Sequence, residues 1–242
     1  MPGFCDPVLL SQASNPFVPA HDAHEQNQKQ QFIPYPLDVY YIHAPKCWEG
    51  WHPNCEGLAY DDTLNLREAW LTMEAVVGLD HSAARIGLSN VDAAELLDII
   101  EFVKERQQNQ AEKQQKQYPP PRTPDVVQIY ADPLEPAIEL QKICKQHDIE
   151  FVSYSTLGTQ HMRRSEKNPV LENDVIKSIA QRHGRSAAEV VLSWAIQSGM
   201  SVIPRSSKVE HIRELAKLIH SPPFLSVDEL ARIDSLGRRY TY

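Results

Sequence analysis

Five short polar clusters in this chain are of a kind that can hold a ligand: His43-Ala44-Pro45, Ser89-Asn90, Gln128, Tyr154-Ser155 and Arg205-Ser206-Ser207. Side-chain amides and hydroxyls suit a carboxamide, an aromatic face suits stacking on a planar ring, and a guanidinium flanked by hydroxyls suits phosphate. Together they match a ligand that carries an amide-bearing ring on a phosphate tail. Any one cluster alone is ordinary, because strands meet solvent at their ends. The weight lies in their succession along the chain.

Each cluster ends a strand-like run, and each run is followed by helix-like periodicity. Leu37 to His43 precedes Leu64 to Val77, and Ala84 to Ser89 precedes Ala93 to Val103. Val126 to Tyr130 precedes Ala137 to His147, and Glu150 to Ser155 precedes Val175 to His183 and Ala187 to Gln197. Ser201 to Pro204 precedes Val209 to Ile219. Five strand-then-helix units predict a parallel sheet covered by helices. Asp92 three residues ahead of Glu95 has capping-box spacing, and Gly184 and Gly199 stand just beyond helical stretches. The rhythm fits an open doubly wound sheet or part of an eight-stranded barrel; both bind ligands at the carboxyl ends of their strands. The absence of a glycine fingerprint after the first strand weighs against a dinucleotide fold of the open type.

The whole chain has 242 residues, close to the roughly 250 of a complete barrel of this class. No apolar run approaches the roughly 20 residues of a membrane span, so no membrane partner is expected. A formal charge of −8 without a local basic patch argues against nucleic acid. Cys5, Cys47, Cys55 and Cys144 are too scattered for a disulfide framework and suggest a reducing, cytoplasmic setting. Residues 1–36 mix proline, glutamine and histidine without periodicity and read as a disordered arm ahead of a domain spanning 37–242. The Gln- and Lys-rich stretch 104–124 reads as a polar surface insertion whose first part extends a helix.

The strand-end segments resemble those of the aldo-keto reductase family in their order. Leu37-Asp38-Val39-Tyr40-Tyr41-Ile42-His43-Ala44-Pro45 resembles the family's fourth strand with its catalytic histidine. Ile86-Gly87-Leu88-Ser89-Asn90 resembles its glycine-x-serine-asparagine strand, and Gln128 sits at its strand-six glutamine. Tyr154-Ser155-Thr156-Leu157-Gly158 is similar to its tyrosine-serine-proline-leucine-glycine turn, and Val202-Ile203-Pro204-Arg205-Ser206-Ser207 to its phosphate-binding segment. The resemblance implies an α/β fold, a partial (β/α)8 TIM barrel of about five C-terminal units that does not close. It also implies NADP(H) as cofactor. Ser89, Asn90 and Gln128 would hold the carboxamide, and Tyr154 would stack on the ring. Ser155, Leu157 and Ser206 would contact the pyrophosphate and ribose, and Arg205, His211 and Glu214 would lie toward the adenosine phosphate.

This sequence departs from the family pattern in several places. Arg205 replaces a lysine but keeps the charge, whereas His211 replaces an arginine and Leu215 an asparagine, which predicts a weakened NADP preference. Tyr130 replaces a glutamate and Asp132 a histidine ahead of Pro133, changes read here as packing. Of the catalytic groups only His43 has a counterpart; the tyrosine, lysine and aspartate come from units ahead of the fourth strand. Tyr41 shares the face of His43 one layer deeper and is assigned to packing. Trp48 and Trp51 fall in a loop, 46–62, where the family faces its substrate. Cys47, His52 and Cys55 lack paired metal-ligand spacing, so no metal is expected.

The resemblance therefore implies a member truncated on its N-terminal side. One reading is NADPH-dependent reduction of aldehydes or ketones to alcohols, with a small carbonyl compound as partner. The other is a catalytically inactive, reductase-like binding or regulatory subunit. An unclosed parallel sheet also has unpaired edges and an apolar inner face, which predicts self-association.

Overall fold

The computed structural model describes residues 37–45, 62–79, 81–113, 119–163 and 165–237. The expected arm at 1–36 and the loop with Trp48, Trp51, His52 and Cys55 lie outside the described residues. Five strands follow one another in the chain and in space: β1 (Leu37–Ile42), β2 (Ala83–Ser89), β3 (Val126–Tyr130), β4 (Glu150–Tyr154) and β5 (Ser201–Val202). All four pairings are parallel, in the order β1-β2-β3-β4-β5, so β1 and β5 are the edges and the sheet does not close. The expected partial barrel is thus what the chain forms.

Helices α1 (Asp62–Gly78), α2 (Ala93–Lys113) and α3 (Ile138–Gln146) fill the first three crossovers. Helices α4 (Asp174–His183) and α5 (Ala187–Gln197) precede β5, and α6 (Val209–Ile219) and α7 (Val227–Gly237) follow it. Strand alternation sends Ile86 and Leu88 of β2, Val127 and Ile129 of β3 and Phe151 of β4 to the helix-covered face. There they meet Trp70 and Met73 of α1, Ile99 and Ile100 of α2, Ile176 of α4, and Val190 and Trp194 of α5 in one continuous core. Burying side chains of this size stabilises by about 1.5–3 kcal/mol each.

Local chemistry sets several helix ends. The Asp92 carboxylate accepts from Glu95 N at 2.9 Å while the Asp92 N–H donates to Glu95 at 2.7 Å, the reciprocal pair expected from spacing. Ser186 and Glu189 repeat the arrangement at α5. Gly184 closes α4 at φ 61°, a left-handed conformation that glycine adopts without steric cost. Two boundaries differ from expectation. Strand β5 stops at Val202, two residues ahead of the proposed end, and α7 is a helix that strand-helix alternation does not require.

The polar stretch from Lys104 begins as the last turns of α2. Arg106 there donates to both oxygens of Glu74 on α1, at 2.9 and 2.8 Å, with side chains only 12% and 1% exposed. Glu74 also accepts the Arg122 N–H at 2.8 Å, and the Trp70 indole donates to the Arg122 carbonyl at 2.9 Å. Both ends of this segment are therefore fastened to α1. Removing one partner of a buried pair of this kind costs about 3–5 kcal/mol.

The inner face of the sheet is mixed in polarity. Arg85 donates to Glu150 at 2.6 Å, and the Ser201 hydroxyl donates to the other Glu150 oxygen at 2.6 Å, forming a polar floor across β2, β4 and β5. Hydrogen bonds from Ser201 and Arg85 hold the Glu150 carboxyl below its usual range against the opposing effect of burial. Above this floor Tyr41 lies over Gly87, where an added Cβ would stand 2.8 Å from the tyrosine ring and 2.6 Å from the Val126 carbonyl. The inner face, expected to be apolar, carries Leu37, Val39, Ala83, Val126 and Val152 interleaved with polar and aromatic side chains.

Candidate functional site

The carboxyl ends of β1, β2 and β4, with the middle of β3, bring together His43, Ser89, Asn90, Gln128 and Tyr154. Strand register does this directly, since Ser89 stands opposite Gln128 and Tyr130 opposite Tyr154. Ser89 is 2% exposed and donates its hydroxyl to the Gln128 carbonyl at 2.8 Å. Asn90 leaves the strand at φ 56°, a left-handed conformation that asparagine tolerates better than most residues. From there its side-chain NH2 donates to the His43 carbonyl at 2.8 Å and to Ser89 Oγ at 3.2 Å, and its side-chain oxygen accepts from the Tyr154 hydroxyl at 2.7 Å. Burial raises the pKa of Tyr154, with Arg163 opposing, so it is a neutral phenol and a donor.

This donor set fits a carboxamide-bearing ring. Two primary amides, a serine hydroxyl and a phenol converge from neighbouring strands, and an aromatic side chain supplies a stacking face. The polar atoms of Ser89, Asn90 and Tyr154 are cross-bonded, so a ligand amide must exchange these bonds and does not simply fill vacant donors. Burial raises the pKa of Tyr41, against a hydrogen bond from the Gln128 side chain. The tyrosine is therefore part of the support beneath the site as well as packing.

A group assigned to packing from the sequence forms a hydrogen-bond cluster at the same edge. The Tyr130 hydroxyl donates to Asp132 Oδ2 at 2.5 Å, and His161 Nε2 lies 2.9 Å from that oxygen and 3.0 Å from Tyr130 Oη. Burial, followed by the bond to Asp132, pushes the Tyr130 hydroxyl far above the ordinary tyrosine range. Its ring centroid is 6.1 Å from that of Tyr154 and 6.1 Å from that of His161. Sequence spacing carries no signal for His161, which joins Asp132 across 29 positions.

The turn after β4 is pinned by hydrogen bonds from within it and from later in the chain. Ser155 at φ 52° and Gly158 at φ 75° are left-handed; a Cβ at Gly158 would meet Val170 at 2.5 Å. Asn168 donates to the Leu157 carbonyl at 2.7 Å, and Ser153 and Thr156 share a hydroxyl bond at 2.6 Å. Beyond β5 the chain is mostly at the surface. Arg205 and His211 are exposed; Ser206 and Glu214 are half-buried. Ser206 Oγ accepts the Lys208 N–H at 3.1 Å and lies 3.4 Å from His211 Nδ1. The structure thus groups His43, Ser89, Asn90, Gln128 and Tyr154, and places Arg205, Ser206, His211 and Glu214 on the separate segment that follows β5.

The Aldo/keto reductase family profile matches residues 23–238 of the chain. Aldo-keto reductase family 1 member A1 of Rattus norvegicus is 27% identical over 212 residues, which cover 85% of this chain and 59% of that protein. The chain therefore spans about three-fifths of the length of this curated relative. A crystal structure of an aldo/keto reductase from Brucella melitensis superposes with a TM-score of 0.60 at 25% identity, covering 83% of this chain and 61% of that one. The structure of a Gox0644 variant in complex with NADPH gives a TM-score of 0.62 at 23% identity, covering 83% and 59%, and supports the fold. Among the described residues no helix is long and apolar enough to cross a membrane, and no cluster of three metal-ligating side chains occurs.

Proposed function

Because this chain belongs to the aldo/keto reductase family, we propose that its strand-end site binds NADP(H) and serves the reduction of aldehydes or ketones to alcohols. The observation that carries this reading is the convergence of Ser89, Asn90, Gln128 and Tyr154 at the carboxyl edge of adjacent parallel strands. In it, Ser89, Asn90 and Gln128 hold the carboxamide and Tyr154 stacks on the ring. Ser155, Leu157 and Ser206 face the pyrophosphate and ribose, and Arg205, with His211 and Glu214 beside it, faces the adenosine phosphate. The bound cofactor would supply a hydride to the carbonyl carbon of a small substrate. His43 then orients the carbonyl oxygen, and Trp48 and Trp51 contribute to the substrate side. The protein is proposed to act in the cytoplasm.

A second reading, a cofactor-binding subunit without turnover, is favoured by one observation. Of the phenols at this edge, Tyr130 gives its proton to Asp132 and Tyr154 gives its proton to Asn90. Neither is poised to protonate a carbonyl oxygen, a contribution of about 10²- to 10⁴-fold in general acid catalysis. Self-association through the edges β1 and β5 would accompany either reading.

Titration of the full chain with NADPH, followed by quenching of its four tryptophans, tests the shared premise, and an NADPH-consumption assay over aldehydes and ketones separates the readings. Saturable quenching with turnover supports the reductase, and saturable quenching without turnover supports the binding subunit. An absence of saturable quenching removes both.

A further inference from the structure

Asp132 joins two parts of the proposed cofactor site. It is fully buried. Its Oδ1 accepts the N–H groups of Leu134 at 2.7 Å and Glu135 at 3.0 Å, and its Oδ2 accepts the Tyr130 hydroxyl at 2.5 Å. His161 Nε2 faces the same Oδ2 at 2.9 Å. A carboxylate only accepts, so this nitrogen carries the ring proton. A carboxylate removed from water is stable only when its lone pairs are satisfied, and here four donors converge on it.

Three of those donors belong to the end of β3 and the turn that follows it. The fourth, His161, opens a 3-10 turn, His161–Arg163, directly after the loop 155–160. The His161 N–H also donates to the Gly158 carbonyl at 3.2 Å, so the histidine is fixed to the loop by its backbone and to Asp132 by its ring. Asn168 holds the same loop at the Leu157 carbonyl. On the other side of the cluster, Tyr130 pairs in register with Tyr154. The loop carries left-handed Ser155, and a non-glycine residue keeps that conformation only where its surroundings over-determine it.

We propose that Asp132, Tyr130 and His161 are positioning residues that clamp the 155–160 loop to the ring platform, so that the pyrophosphate and the ring of a dinucleotide engage a preformed site. This rests on the cofactor reading above. None of the three touches the reacting atoms; Tyr130 is held as a neutral phenol whose proton is committed to Asp132. Preorganisation of this kind raises affinity by lowering the ordering cost of binding.

The test compares the full wild-type chain with His161→Phe, which keeps an aromatic ring without the N–H, and His161→Gln, which keeps an N–H donor. Binding of NADPH and of reduced nicotinamide mononucleotide, which lacks the pyrophosphate linkage, is measured together with amide exchange across 155–160. Loss of one charge-assisted hydrogen bond predicts NADPH binding about tenfold weaker in His161→Phe. Mononucleotide binding is expected to change less than about twofold, and loop exchange to accelerate while β3 and β4 stay protected. His161→Gln should restore both readouts. Equal weakening for the two ligands, unchanged NADPH binding, or unchanged loop exchange in His161→Phe overturns the clamp. A wild-type chain that binds neither ligand removes the cofactor reading and the clamp's purpose with it; wild-type binding with an indifferent variant removes the clamp alone.

Discussion

The two ends of the proposed cofactor site are built differently. At the ring end, Ser89, Asn90, Gln128 and Tyr154 stand on paired strands, and bonds of 2.7 to 2.8 Å cross from β4 to β2 and from β2 to β3. At the phosphate end, Arg205 hangs from the segment between a two-residue strand and α6 and His211 stands in the first turn of α6, both exposed, with a single 3.4 Å approach of His211 to Ser206. A sheet passes its register on to the side chains at its edge, whereas an exposed segment leaves its cations to solvent and salt. The ring end is therefore the preorganised half, and affinity for the adenosine phosphate is the property most open to change by single substitutions.

Four substitutions press on this contrast. The largest effect is expected from Gly87→Ala, which drives a Cβ to 2.6 Å from the Val126 carbonyl and 2.8 Å from the Tyr41 ring, forcing β2 and β3 apart beneath the site. Denaturant unfolding should show a loss of about 2–3 kcal/mol; a loss under about 0.5 kcal/mol would mean the sheet is not the rigid support described. Next is Asn90→Gly, which accommodates the left-handed backbone while deleting the amide that links His43, Ser89 and Tyr154. NADPH affinity should fall about tenfold or more with little change in melting temperature, as measured by fluorescence titration.

At the phosphate end, His211→Arg restores a fixed charge beside Arg205, and the ratio of NADPH to NADH affinity should rise about fivefold at low salt and shrink as salt is added. A ratio indifferent to both changes would place the adenosine phosphate elsewhere. The smallest effect is expected from Glu150→Gln. Because hydrogen bonds from Ser201 and Arg85 lower the Glu150 pKa in the folded protein, its contribution is present above the unfolded value of about 4.3 and is lost as pH falls through the folded one. Both side chains of the ion pair are more than a third exposed, so the difference at pH 7 should stay under about 1 kcal/mol. Melting curves of wild type and variant should converge as pH falls through the lowered folded pKa of Glu150; a gap that persists below it would assign the effect to packing.

Several parts of this arrangement were legible in local sequence. Apart from the C-terminal end of α2, the strand-helix units fall within a few residues of their expected limits because alternation of period two and amphipathic spacing are properties of a short window. The boxes at Asp92-Glu95 and Ser186-Glu189 are equally local, and so is Ser226-Glu229, which would have announced α7. Ser89, Asn90 and Tyr154 were legible because they stand at or just beyond strand ends, which parallel pairing gathers on one edge; Gln128 is mid-strand in β3 and joins them through its register with Ser89.

Other features were decided by partners distant in the chain. Helix α2 continues through a polar segment because Arg106 reaches buried Glu74, 32 positions away. Tyr130 and Asp132, read as packing from their own neighbourhood, become a polar cluster only when His161 arrives from 29 positions beyond Asp132. The inner face of the sheet is less apolar than expected because Arg85, Glu150 and Ser201 satisfy one another across three strands. By itself the sequence determined which elements form and which groups stand at their ends, since those depend on local periodicity and capping. Only the tertiary structure decided which polar groups are paired, because a buried charge or hydroxyl takes its role from the donors that folding brings to it.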